Sequence, residues 1–300
     1  MMAEWAVFKN SYRKGTNMLG YVMTGRKFGA GIVAAILGLA ISAGTLAQAS
    51  EIPVTLTDNN STVQVYSQSD AGIASWTVNG VNQINREWFW YRVGTASSSN
   101  PERSIDTLTA TDNTVTGNNR LHLAFAQSGQ FTIGLSYLLT GGAAGTGSSD
   151  LGLMIRVTNT SAQALSFSLF QLADFDLLGS ASGDTVQAGR DLHGLYNEVL
   201  QQKGTTGLFE AVNSPGANMA QVDIHPAIYN LLTNGQGDDL NNTTGPIGPG
   251  NVEWASEWNA VIAPGGVFTI SDDQYIQVPE PATLCLLALG RLPLMRRRKK

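Results

Sequence analysis

Trp88-Phe89-Trp90-Tyr91 is the densest aromatic run in the chain. On a strand, successive side chains point to opposite faces, so Trp88 and Trp90 share one side while Phe89 and Tyr91 share the other. A sandwich strand buries one side against its partner sheet. The remaining pair then either lies open, as a platform on which sugar rings stack, or is covered by a further layer and joins the core. Trp88 and Trp90 are the candidate sugar-binding residues. Trp76, Trp254 and Trp258 read as core.

Asp174, Asp176 and Asp184 are the candidate metal ligands, because a hard cation such as Ca²⁺ needs clustered carboxylate oxygens. The EF-hand pattern fails here: Leu178 stands where an oxygen donor is required, and Thr185 where a bidentate Glu belongs. Only a different Ca²⁺ geometry at the mouth of a loop would use these acids. The competing reading places them on a wet strand face with Phe175 and Leu177 inside. Asp238-Asp239 with Asn241 and Asn242 form a second acidic group, read as a solvated loop.

Glu253 and Glu257 suggest a glycosidase pair, but four residues along a strand separate them by about 13 Å. Even inverting enzymes hold their carboxyl groups at about 6.5–9.5 Å, so neither is the other's partner. His122, His193 and His225 are scattered and carry no metal-binding spacing. No nucleophile elbow, phosphate loop or dinucleotide fingerprint occurs. The sequence assigns no catalytic residue and requires no cofactor, Ca²⁺ being the one candidate.

The elements that position these residues follow a period of two rather than 3.6. Strand-like runs lie around 63–66, 74–78, 88–93, 121–125, 131–139, 153–158, 165–172, 252–262 and 267–270. In the run from Val252, one side carries Trp254, Ser256, Trp258, Ala260 and Ile262, and the other Glu253, Glu257 and Asn259. One helix is expected, with Pro226 at its first turn, Ala227 to Leu232 as its body and Asn234-Gly235 as its stop. The stretches 141–150 and 234–251 read as long loops, the second either mobile or functional. Residues 50–277 are thus expected to form an all-β domain, an antiparallel β-sandwich with one short helix, large enough for a sizeable core.

Charge narrows the partners. The chain has 18 basic and 23 acidic residues, but residues 50–277 hold only seven of the basic and 21 of the acidic ones, a net charge of −14. A surface of that sign repels phosphate backbones and anionic headgroups, which excludes nucleic acid. A single cysteine, Cys285, rules out a disulfide framework.

Both ends read as addresses. Arg26 and Lys27, the apolar run 32–43 and Ala47-Gln48-Ala49 form the three parts of a signal peptide, so 1–49 is a leader with an over-long start before Met18 or Met23. An uncleaved anchor over 28–47 is the alternative. At the other end, Val278-Pro279-Glu280-Pro281 precedes an apolar stretch and the basic cluster Arg296, Arg297, Arg298, Lys299 and Lys300. This tripartite ending over 278–300 resembles the PEP-CTERM sorting signal of Gram-negative bacteria, departing from it where Arg291 and Pro293 interrupt the apolar stretch. The resemblance implies export, with signal peptidase and an exosortase as processing partners. It further implies transient membrane contact through the tail and a surface or extracellular setting near exopolysaccharide and biofilm matrix. The expected function is therefore a non-enzymatic cell-surface or matrix protein. The alternatives are a carbohydrate-binding module using the aromatic strand, or an enzyme acting on polysaccharide.

Overall fold

The computed structural model describes residues 51–279, the side chains of residues 210, 212 and 213 excepted. The signal region, Glu280, Pro281 and the basic cluster 296–300 lie outside the described residues. In chain order the strands are β1 (Val54–Asp58), β2 (Ser61–Tyr66), β3 (Gly72–Val78), β4 (Val81–Asn82), β5 (Arg86–Val93) and β6 (Arg103–Ser104). β7 (Thr109–Thr116), β8 (Arg120–Gln127), β9 (Phe131–Gly141), β10 (Ser148–Asn159), β11 (Leu165–Asp174) and β12 (Asp184–Arg190) follow. Last come β13 (Tyr196–Lys203), β14 (Thr206–Ser214), β15 (Met219–Ile224), helix α1 (Ala227–Thr233), β16 (Ile247–Gly250), β17 (Val252–Ile262) and β18 (Val267–Gln277).

These strands make two sheets, as the alternating pattern predicts. The first runs β1-β2-β3-β5-β11-β17-β15, with β4 beside β3 and β6 beside β5. The second runs β16-β12-β13-β14-β18-β10-β9-β8-β7. Pairing is antiparallel throughout, apart from one short parallel contact between β3 and β5. There Gly72, at φ +53°, lets the chains touch: a Cβ at this position would stand 2.2 Å from the Glu87 carbonyl oxygen.

Long runs of alternating residues build the core between the sheets. β9 turns Phe131, Ile133, Leu135, Tyr137 and Leu139 inward, and β10 does the same with Leu151, Leu153, Ile155 and Val157. The first sheet answers with Trp254 and Trp258 on β17 and with Phe89 and Tyr91 on β5, all buried. Trp76 Nε1 donates to Ser149 Oγ at 2.8 Å, tying β3 to β10 across the interior.

Nine of the eighteen strands among the described residues, β1, β4, β6, β7 and β12 to β16, lie outside the runs read from the sequence. β7, TATDNTVT, is exposed along its whole length and has no apolar alternation. It is held by its ladder to β8, which hydropathy does not register. β18 continues seven residues past Ile270, placing the polar side chains of Asp272 and Gln274 in the interior. They meet Glu87 there. Gln171 Nε2 donates to Glu87 Oε1 at 2.9 Å and to Asp272 Oδ2 at 3.0 Å, and Gln274 Nε2 donates to Glu87 Oε1 at 3.0 Å. Burial, reinforced by Asp272, pushes the Glu87 carboxyl up to about 8, and burial brings Asp272 to about 7.

Candidate active site

β17 sorts its side chains as the alternation predicts, with Trp254, Ser256 and Trp258 facing the core and Glu253, Glu257 and Asn259 on the other side. That polar side is not wet. Glu253 and Glu257 are fully buried, because α1 and the segment 234–246 lie over it. The same cover explains why nearly all of β11, including Phe170 and Leu172, is buried on both sides.

Four strands bring the site together at one end of the first sheet. β11 ends at Asp174, which pairs in register with Arg86 at the start of β5. Glu253, the second residue of β17, stands opposite Asp223 on β15, and His225 follows directly after β15. His225 Nδ1 lies 3.0 Å from Glu253 Oε2 and 3.0 Å from Asp174 Oδ2. The Glu253 Oε1 atom accepts the backbone N–H groups of Ile228 and Tyr229 in the first turn of α1. Asp174 Oδ2 also accepts from Asn85 Nδ2 at 2.8 Å. The two acids are thus fixed by groups other than the histidine, whose ring is 28% exposed. It is the part of the triad within reach of a ligand.

The rim is equally ordered. The Arg86 guanidinium lies 4.2 Å from the centre of the Tyr229 ring, and Tyr229 donates its hydroxyl to Asp70 Oδ2 at 2.8 Å. Burial raises the Asp174 carboxyl above the ordinary range, against the pull of Asn85, His225 and Arg86. Burial likewise raises Glu253, opposed by the Ile228 and Tyr229 amides and by His225. Asp176 is pushed up to about 6 by burial, then by Asp174 and Asp184, against Lys203 and His225. An imidazole held between two carboxyl groups and open on one side has the placement of a general acid–base group.

A second polar group anchors the covering segment. Arg92 pairs with Glu102 and Asp239 and donates to the Asp238 carbonyl at 2.6 Å. Leu240 N donates to Glu257 Oε2 at 2.9 Å, and Asp238 N to Glu102 Oε1 at 3.0 Å. The loop expected to be solvated or mobile is therefore pinned to the sheet, and its residues 247–250 form β16.

The predicted site residues fare differently. Trp88 and Trp90 are both buried: the Trp88 ring packs edge-on to Phe125 at 6.2 Å, and Trp90 edge-on to Tyr229 at 6.3 Å. Neither ring offers the open face that stacking on a sugar requires, because α1 and the second sheet occupy it. Asp174, Asp176 and Asp184 are close enough to perturb one another, but the cation at Asp184 is the Lys203 ammonium, 3.3 Å from its Oδ2. Among the described residues no three His, Cys, Asp or Glu side chains are arranged to hold a metal ion. Glu253 and Glu257 are not each other's partners, as their spacing requires; one serves His225 and the other faces Arg92 at 3.9 Å. His225 is the candidate residue that sequence reading passed over. No local pattern marks it, since its partners stand 28 and 51 positions away.

No family model matches the chain, and no curated protein matches it in sequence. Its fold does match solved structures. A candidate aldose 1-epimerase from Escherichia coli K12 superposes with a TM-score of 0.50 at 11% identity, over 76% of this chain and 99% of its own. A galactose mutarotase-like protein from Lactobacillus casei ATCC 334 gives 0.50 at 8% identity, over 75% of this chain and 100% of its own. A bacterial glucoamylase, solved with acarbose, gives 0.51 at 10% identity, over 77% of this chain but only 32% of its own. This fold corrects the expectation of a non-enzymatic surface or matrix protein, since the sandwich is one carried by carbohydrate-active enzymes.

Proposed function

We propose that the protein is an enzyme that performs acid–base chemistry on a carbohydrate, opening and reclosing an aldose ring. The observation that carries this reading is the placement of His225 between Asp174 and Glu253, with its ring partly exposed on a sheet face. Ring opening needs a base for the anomeric hydroxyl proton and an acid for the ring oxygen. His225 supplies one of these roles, and the raised carboxyl of Asp176 is a nearby candidate for the other. Arg86, Tyr229 and Asp70 offer a charged and aromatic rim on which sugar hydroxyls and a ring face can rest. The sharing of a fold with aldose epimerase-like proteins supports the substrate class.

The deciding experiment follows the optical rotation of freshly dissolved α-D-glucose and α-D-galactose. The protein should speed the approach to anomeric equilibrium beyond buffer alone, and His225→Asn should lower kcat by about 10²–10⁴-fold. Equal rates with and without protein for both sugars would overturn the reading.

We further infer that the chain is exported and processed through its tail at 278–300. The tripartite ending supports this. So does the position of Val278, whose N–H bonds to the Gly147 carbonyl at 2.8 Å just after β18 ends, so that the Pro279-Glu280-Pro281 motif begins where the sandwich stops.

A further inference from the structure

Two of the seven basic residues between positions 50 and 277 line a single cavity of 220 Å³, and no acidic residue shares its wall. In a span of net charge −14, that distribution is unusual. The cavity lies beyond the C-terminal end of β5, between Tyr91 and Arg92, the segment carrying Asn100 and Arg103, and the β8–β9 turn with Gln127 and Gln130. None of the residues placed at the His225 site lines it.

The two arginines are not equivalent. Arg92 is ion-paired with Glu102 and Asp239 and has Glu257 at 3.9 Å, so it presents no free positive charge to the cavity. Arg103 is exposed and forms no ion pair among the described residues; its side chain lies near enough to the Tyr91 hydroxyl to act on it electrostatically. An exposed guanidinium with no ion-pair partner, on a wall that carries no acidic side chain, matches one carboxylate, which it can grip with two parallel N–H bonds. A dianion such as a phosphate monoester would be left under-neutralised.

The remaining wall suits a polyhydroxylated body. Asn100 commits both amide hydrogens to the carbonyls of Val93 and Thr95, each at 2.8 Å, so its side-chain oxygen remains an acceptor for a hydroxyl. Gln127 and Gln130 are exposed and offer both donors and acceptors. Tyr91 and Phe131, whose rings lie 5.3 Å apart, supply an apolar floor. The volume falls below the roughly 300–1,000 Å³ of pockets for drug-sized ligands, which limits the occupant to one ring. We propose that this cavity binds a single carboxylate-bearing sugar unit, a hexuronate, with its carboxylate on Arg103 and its hydroxyls on Asn100, Gln127 and Gln130.

Calorimetric titration of the full-length chain with sodium glucuronate, glucose, glucose 6-phosphate and sodium sulfate tests this. Glucuronate should bind saturably and more tightly than the other three. Arg103→Gln should weaken it by roughly tenfold to a hundredfold, and Gln130→Ala by less. Both side chains are exposed, so both variants should keep the parent Tm. His225→Asn should leave glucuronate affinity unchanged, which separates this cavity from the site of the proposed reaction. The proposal is overturned if glucuronate shows no saturable binding up to about 20 mM, a bound near the weak end of the affinity scale. It is equally overturned if glucose, glucose 6-phosphate or sulfate binds as well or better, or if Arg103→Gln binds like the parent.

Discussion

The Nδ1 atom of His225 and the Oε2 atom of Glu253 stand 3.0 Å apart, although the two residues are 28 positions apart in the chain. The intervening residues are α1 and the segment that returns over the sheet, so the contact closes only when both are docked. The other oxygen of Glu253 holds the first turn of α1. One carboxylate therefore links the orientation of the histidine to the cover above it.

That link separates two variants. Replacing His225 by Asn should lower kcat by about 10²–10⁴-fold and change the unfolding free energy by no more than about 1 kcal/mol, since the ring is partly exposed. Glu253→Ala should lower activity and also cost about 2–4 kcal/mol, because the buried carboxyl that holds His225 is lost and the Ile228 and Tyr229 amides are left without their acceptor. Polarimetry combined with denaturant unfolding distinguishes them. Equal stability losses in the two variants would contradict the link.

Glu87 and Asp272 make stability depend on pH in a defined direction. Their carboxyls sit at about 8 and about 7 in the fold, above the roughly 4 of an unfolded chain. The folded state therefore binds the extra protons. Their contribution is fully present below about pH 4 and is lost as pH rises towards 8. Thermal unfolding should give a Tm that falls between about pH 5 and pH 8, and Glu87→Gln should flatten that fall. A Tm that climbs across this window would refute the assignment.

Arg92 is expected to be a keystone of the cover. Its loss strands the buried carboxyl of Glu102 and releases its hold on Asp238 and Asp239. Arg92→Ala should cost about 3–5 kcal/mol and expose residues 234–246 to hydrogen exchange well before the strands. Unchanged protection of that segment would show that Leu240 and its neighbours hold it unaided.

Trp90 should behave as core. Trp90→Ala should destabilise by about 3–5 kcal/mol, as a buried ring against α1 requires. If Trp90→Ala instead kept its Tm and lost affinity for sugars, the ring would have to lie open.

For the tail, changing Pro279-Glu280-Pro281 to three alanines should leave unprocessed protein in the inner membrane. Mass spectrometry of the exported form should find it ending near residues 279–281 and beginning near residue 50. Release of the variant at the normal rate would count against the sorting role.

Sequence alone determined a good deal of this protein. The two-residue period located the principal strands and sorted the faces of β17 correctly, because a strand's side chains alternate whatever lies beyond it. The turn chemistry around Pro226 and Asn234-Gly235 placed α1, observed over Ala227–Thr233. Spacing also showed that Glu253 and Glu257 cannot pair with each other. Only tertiary structure decided which polar residues are buried and whom they meet. A second layer over one sheet turned a face that reads as polar into the housing of His225, Asp174 and Glu253, and selected core over platform for the aromatic run, whose alternation allows both. The physical reason is that burial and proton affinity depend on neighbours brought together across dozens of residues, whereas local pattern records only the chain's own geometry.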